Sequence, residues 1–168
     1  MTYYVRAYCT DGEVPTIGTV LAWAGEHGLD LDPPPEMPEF VSWVGEPPPD
    51  WGQETPEELA SRDWDGVALW WRKDWTPMTV TIRDLDDWEA EQVAELPRSR
   101  QRDQLLAHLA ETRFVVSLSL PISALEDDAL WEALSVVLDY LTEHHSALVH
   151  IEGEGFFQAG RMILATTW

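Results

Sequence analysis

The chain has 168 residues, 45% of them hydrophobic and 24% charged, which suits one globular domain with a real core and excludes a mostly disordered chain. Its formal net charge of −21 repels nucleic-acid phosphates and anionic membrane surfaces, so neither is expected as a partner, whereas basic proteins and cationic ligands are favoured. One cysteine, Cys9, no signal-peptide pattern at the N-terminus and no apolar run near the ~20 residues of a membrane span lead to the expectation of a cytoplasmic protein.

Tyr3 to Cys9 alternates in polarity and predicts a strand with one buried face. Thr16 to His27 predicts a helix: Ile17, Val20, Leu21 and Ala24 share a stripe, and Gly28 stands at its C-terminal stop. Leu29 to Leu31 reads as a short strand. Eight of the twelve prolines then fall from Pro33 to Pro56, so the segment 32–55 is expected to be a stiff, extended loop insertion. A brief strand, Phe40 to Val44, interrupts it. Thr55-Pro56-Glu57-Glu58 is a capping box that opens a short helix.

Gly66 to Arg72 and Met78 to Arg83 alternate as two strands of a hairpin. Asp86 or Asp87 caps a helix ending before Pro97, and a second helix follows near Gln101 to Glu111 with Leu105, Leu106 and Leu109 inward. Phe114 to Leu120 alternates as a strand. Ser123-Ala124-Leu125-Glu126 reads as a capping box opening the clearest helix, whose core stripe is Leu130, Leu134, Val137, Leu138 and Leu141. Ala147 to Glu152 and Phe156 to Ala165 read as closing strands, the second of which Ala159-Gly160 can turn into its own hairpin.

This order predicts a single α+β domain over residues 1–168: a mainly antiparallel sheet with helices on one face, containing ferredoxin-like units. Fold analogy of that kind carries no activity.

Chemistry-bearing motifs are sparse. Lys73 is the sole lysine, so a P-loop is excluded, and neither G-x-S-x-G nor H-E-x-x-H occurs. His150 and Glu152 share a strand face and are weak candidates for part of a metal site. No catalytic residue, metal or cofactor is assigned from the sequence, and the protein reads as a non-enzyme more readily than as an enzyme. The acid pairs Glu57-Glu58, Asp86-Asp87 and Asp127-Asp128 sit at helix starts, where they favour the helix dipole.

The charge is unevenly placed. No Lys or Arg lies between Arg6 and Arg62, where twelve acids occur, or between Arg113 and Arg161, where eight occur. Seven of the ten tryptophans fall between Trp43 and Trp88. Trp71 and Trp88 are expected in the core. Trp51, Trp64, Trp70 and Trp75, with Asp50, Asp63 and Asp74, are the candidate binding surface, because indole faces and adjacent carboxylates both attract cations.

The stretch Leu148 to Leu164, with Gly153-Glu154-Gly155-Phe156-Phe157 and Gly160-Arg161-Met162-Ile163-Leu164, resembles small uncharacterised bacterial proteins, as does Arg113 to Pro121. The resemblance implies no activity, cofactor or site residue. The function expected is a non-catalytic, inhibitor- or immunity-like interaction protein that binds a basic protein partner through loops bearing Trp and Asp. The alternatives are a small-molecule domain for a cationic or sugar ligand, and a metal-dependent or acid-pair hydrolase. Oligomeric state is not legible.

Overall fold

Alternation along the first strand sends Val5, Ala7 and Cys9 to one side and Tyr4, Arg6 and Tyr8 to the other, and both sides become covered. The computed structural model describes residues 2–29, 41–43, 55–69 and 78–168. Among these, eight strands form one sheet: β1 (Thr2–Cys9), β2 (Val41–Trp43), β3 (Val67–Leu69), β4 (Met78–Arg83), β5 (Phe114–Pro121), β6 (Leu148–Ile151), β7 (Gly155–Gln158) and β8 (Arg161–Ala165). Their order is β2-β3-β4-β5-β1-β6-β7-β8, and every neighbouring pair is antiparallel.

Five α-helices accompany the sheet: α1 (Ile17–Glu26), α2 (Pro56–Ala60), α3 (Asp87–Glu95), α4 (Arg100–Glu111) and α5 (Asp128–His145). At the centre, β4-β5-β1-β6 with α1 between β1 and β4, and α5 between β5 and β6, forms a double split β-α-β unit. This is ferredoxin-like topology. The β2–β3 insertion widens one edge and the β7–β8 hairpin the other.

The α+β class and the antiparallel sheet match the sequence, but helices cover both faces rather than one. Ile17 and Val20 of α1 and Leu130, Leu134, Val137 and Leu141 of α5 pack on Val5, Ala7, Val116 and Leu118. Val93 of α3 and Leu105 and Leu109 of α4 pack on the other face, against Tyr8, Val115, Leu148 and Phe156. The reason lies in β5, where Val115 is as fully buried as Val116, so each face needs its own apolar cover.

Local chemistry sets the element ends. Thr16 caps α1 by accepting from the Thr19 N–H. At α2 the box is reciprocal: the Thr55 N–H donates to Glu58 Oε2 (2.8 Å) and the Glu58 N–H to Thr55 Oγ1 (3.2 Å). The longest helix starts later than Ser123-x-x-Glu126 predicts. Ile122–Ala124 forms a 3-10 turn instead, and Asp127 caps α5 by accepting from the Ala129 N–H at 3.1 Å. Leu29 is not in a strand, and the remainder of that expected element lies outside the described residues.

The β7–β8 hairpin turns at Ala159 (φ 47°) and Gly160 (φ 75°), a two-residue turn with both central residues left-handed. Gly155 is required for the same hairpin. At φ 141° a Cβ there would strike the backbone of Leu164 and Ala165.

Candidate functional site

Helix α5 is amphipathic, and its outward face is acidic. Asp128, Glu132, Asp139 and Glu143 are exposed, and by helix geometry they fall within roughly a 60° arc over about 22 Å. Opposite them, Leu130, Ala133, Leu134, Val137 and Leu141 face the sheet. Among the described residues no ion pair reaches any of the four carboxylates. Among the described residues Arg83 ends β4, Arg98 precedes α4, and Arg100 and Arg102 lie on α4, the helix that packs on the other side of the sheet.

The stripe is unfavourable for the helix itself. Asp128/Glu132 and Asp139/Glu143 are like-charged pairs at i,i+4, and Glu143 sits in the last turn, where the dipole disfavours negative charge. Only Asp128, in the first turn, is helped by the dipole.

Two depressions flank the stripe. A broad cleft of about 620 Å³ lies where the end of α1 meets the first half of α5; Trp131 lines it with Asp128 and Glu132. The Trp131 indole N–H donates to the Leu125 carbonyl at 2.7 Å, which fixes the ring beside the two carboxylates. On the other flank, a narrower groove of about 150 Å³ runs between α5 and β6–β7, lined by the apolar Leu138, Val149, Ile151 and Phe157 and by the polar Ser135, Asp139 and Thr142.

Of the candidate binding residues read from the sequence, Asp63 and Trp64 are among those described. Trp64 is 1% exposed and packs in the core beneath α1 and α5, so its indole is not part of a surface. Its neighbour Asp63 is exposed and its backbone bridges Thr16. Trp51, Trp70, Trp75, Asp50 and Asp74 lie outside the described residues, as does Trp71. Trp88, expected in the core, is instead 45% exposed and lies over the Arg6 guanidinium at 6.0 Å.

His150 and Glu152 have other partners. Glu152 Oε2 accepts the Tyr4 N–H at 2.8 Å. His150 is fully buried, with its ring against Phe156 and Trp168 and its Nε2 3.1 Å from Thr166 Oγ1. Its Nδ1 is buried, with no hydrogen-bond partner among the described residues. Burial, reinforced by the Arg6 charge, pushes the imidazole down to about 4 against the opposing pull of the Trp168 backbone and Glu89. Among the described residues no group of three His, Cys, Asp or Glu side chains is arranged to hold a metal ion.

A buried charged network ties α3 to the sheet. Glu89, 1% exposed, accepts a two-pronged contact from Arg83 (2.8 Å on each oxygen) and the Tyr8 hydroxyl (2.9 Å). Burial alone would raise the Glu89 carboxyl, but Arg83 and Tyr8 outweigh it and hold the pKa below the usual range. Burial and the same carboxylate push the Tyr8 phenol up. At α5's far end, His145 Nδ1 pairs with the Asp11 carbonyl at 3.0 Å, and burial lowers the imidazole pKa.

The α5 stripe carries its own sequence signal, the spacing of four, seven and four residues inside the base-free interval from Arg113 to Arg161. Glu89 carries less, because position three of a capping box is ordinarily exposed. No family model, curated protein or solved structure matches the chain, so function is read from the site itself.

Proposed function

We propose that this is a non-catalytic interaction protein that binds a basic protein partner through its acidic surface, in the manner of an inhibitor or immunity protein. The observation that carries the reading is the stripe Asp128, Glu132, Asp139 and Glu143 on α5, which no ion pair reaches among the described residues. Carboxylates at i,i+4 and at a helix C-terminal turn reduce stability, so their presence calls for a use outside the fold. Opposed bases would relieve both costs on binding, and the −21 charge would speed encounter. Asp63 is exposed and adds to the acidic surface. Asp50, Trp51, Trp70, Asp74 and Trp75, which lie outside the described residues, are proposed as further partner contacts; Trp64, being core, is not.

The test is affinity capture from extract of the source cells at low salt, using the native chain and D128N/E132Q/D139N/E143Q. The expected result is a stoichiometric basic protein, released by salt, that the variant fails to retain. No such partner, or equal retention by the variant, contradicts the reading.

A second reading rests on the Trp131 cleft, where an indole wall beside Asp128 and Glu132 suits a small organic cation. Quenching of tryptophan fluorescence by a quaternary amine in the native chain, abolished in Trp131→Leu, would favour it. An unchanged signal would remove it.

A further inference from the structure

The groove between α5 and β6–β7 has a composition that selects its occupant. Leu138, Val149, Ile151 and Phe157 give it apolar walls, Ser135, Thr142 and the Asp139 carboxylate are its polar lining, and its volume is about 150 Å³. Met162 pairs across the hairpin with Phe157 and is 53% exposed, which extends the apolar surface beyond the groove. A purely aliphatic anchor would fill the walls but leave Asp139 without a partner. A short cation would reach Asp139 but leave the walls wet. A side chain with a long methylene stem and a terminal charge satisfies both, since such stems lie along apolar surface while the head stays near water or a counter-charge.

The hairpin turn adds a separate observation. Ala159, which lines the groove, holds φ 47°, a left-handed conformation in which Asn or Gly is the unstrained choice. Alanine at that position places a methyl, with no polar atom, at the groove wall.

We infer that this groove seats an arginine or lysine side chain of the basic partner, with the stem against Leu138, Ile151 and Phe157 and the cationic head on Asp139. The inference rests on the proposed function and specifies its anchor. Arginine is the better fit of the two, because its planar fork can engage both oxygens of one carboxylate.

The probes are three capped tripeptides, acetyl-Gly-X-Gly-amide with X as arginine, norleucine or 2,3-diaminopropionate, titrated at low salt into the isotopically labelled full chain and followed by amide shifts. The arginine peptide is expected to shift Leu138, Ile151, Phe157 and Gly160 saturably. The other two should bind at least about fivefold more weakly at those residues. Asp139→Asn should weaken the arginine peptide by a similar factor. Arginine shifts confined to Asp128 and Glu132 would overturn the seat while leaving the acidic surface intact. No saturable shift anywhere would overturn both.

Discussion

At the scale of single residues, the buried imidazole has the clearest consequence. The His150 pKa lies at about 4 in the fold and near 6.5 in an unfolded chain, so the unfolded state binds the extra proton between those values. Its contribution to stability is therefore complete above pH 6.5 and is lost as pH falls to about 4, a difference on the order of 3 kcal/mol. His150→Leu removes the titrating group and its orphaned Nδ1. Urea unfolding at pH 7 and pH 4.5 should show a markedly smaller acid loss in the variant than in the native chain; parallel losses would contradict the burial argument. Glu89 acts with the same sign at lower pH, since its depressed carboxyl loses its contribution only as it becomes protonated. At the turn, Ala159→Asn relieves the left-handed strain and should stabilise the hairpin by about 0.5–1 kcal/mol in the same assay.

At the scale of elements, α5 and the β7–β8 hairpin make opposite predictions. D139N/E143Q removes a like-charged pair and, at Glu143, one charge from the unfavourable end of the helix dipole. It should raise stability by about 0.5–1 kcal/mol, read as a higher urea midpoint with unchanged slope. A lower midpoint would mean the acids serve the fold. Gly155→Ala forces a Cβ into the backbone of Leu164 and Ala165 and should cost about 2 kcal/mol or more. Much of this scale was legible in the sequence. The periods of β1, α1, β4 and α5 follow from which side chains must be buried, and Thr55-Pro56-Glu57-Glu58 and Ala159-Gly160 act through purely local chemistry. Ser123-x-x-Glu126 misleads because Asp127 offers a competing cap four residues on, and the chain makes a 3-10 turn before it. The second helical layer was hidden because periodicity shows that a strand face is apolar but not which helix covers it. The same limit applies to the site. Asp128, Glu132, Asp139 and Glu143 show their spacing openly, yet whether a carboxylate is paired depends on where distant arginines land, as Glu89 with Arg6 demonstrates.

At the scale of the whole molecule, the charge of −21 acts on folding and on binding with opposite signs. Self-repulsion opposes the compact state, so added salt should raise the thermal midpoint, whereas the same screening should weaken capture of a basic partner. A midpoint that falls with salt would indicate that paired charges dominate the fold. Net charge alone also attracts any polycation, so the location of the acids must be separated from their number. The most direct measurement compares two variants of equal charge against a helical basic peptide with arginines at i, i+4, i+11 and i+15, titrated calorimetrically at low ionic strength. One variant is D128N/E132Q/D139N/E143Q. The other is D87N/E91Q/E95Q/E111Q, which neutralises exposed acids on α3 and α4 across the sheet. If α5 is the docking face, the first variant weakens binding at least about tenfold and the second less than about threefold. Equal weakening by both would contradict it.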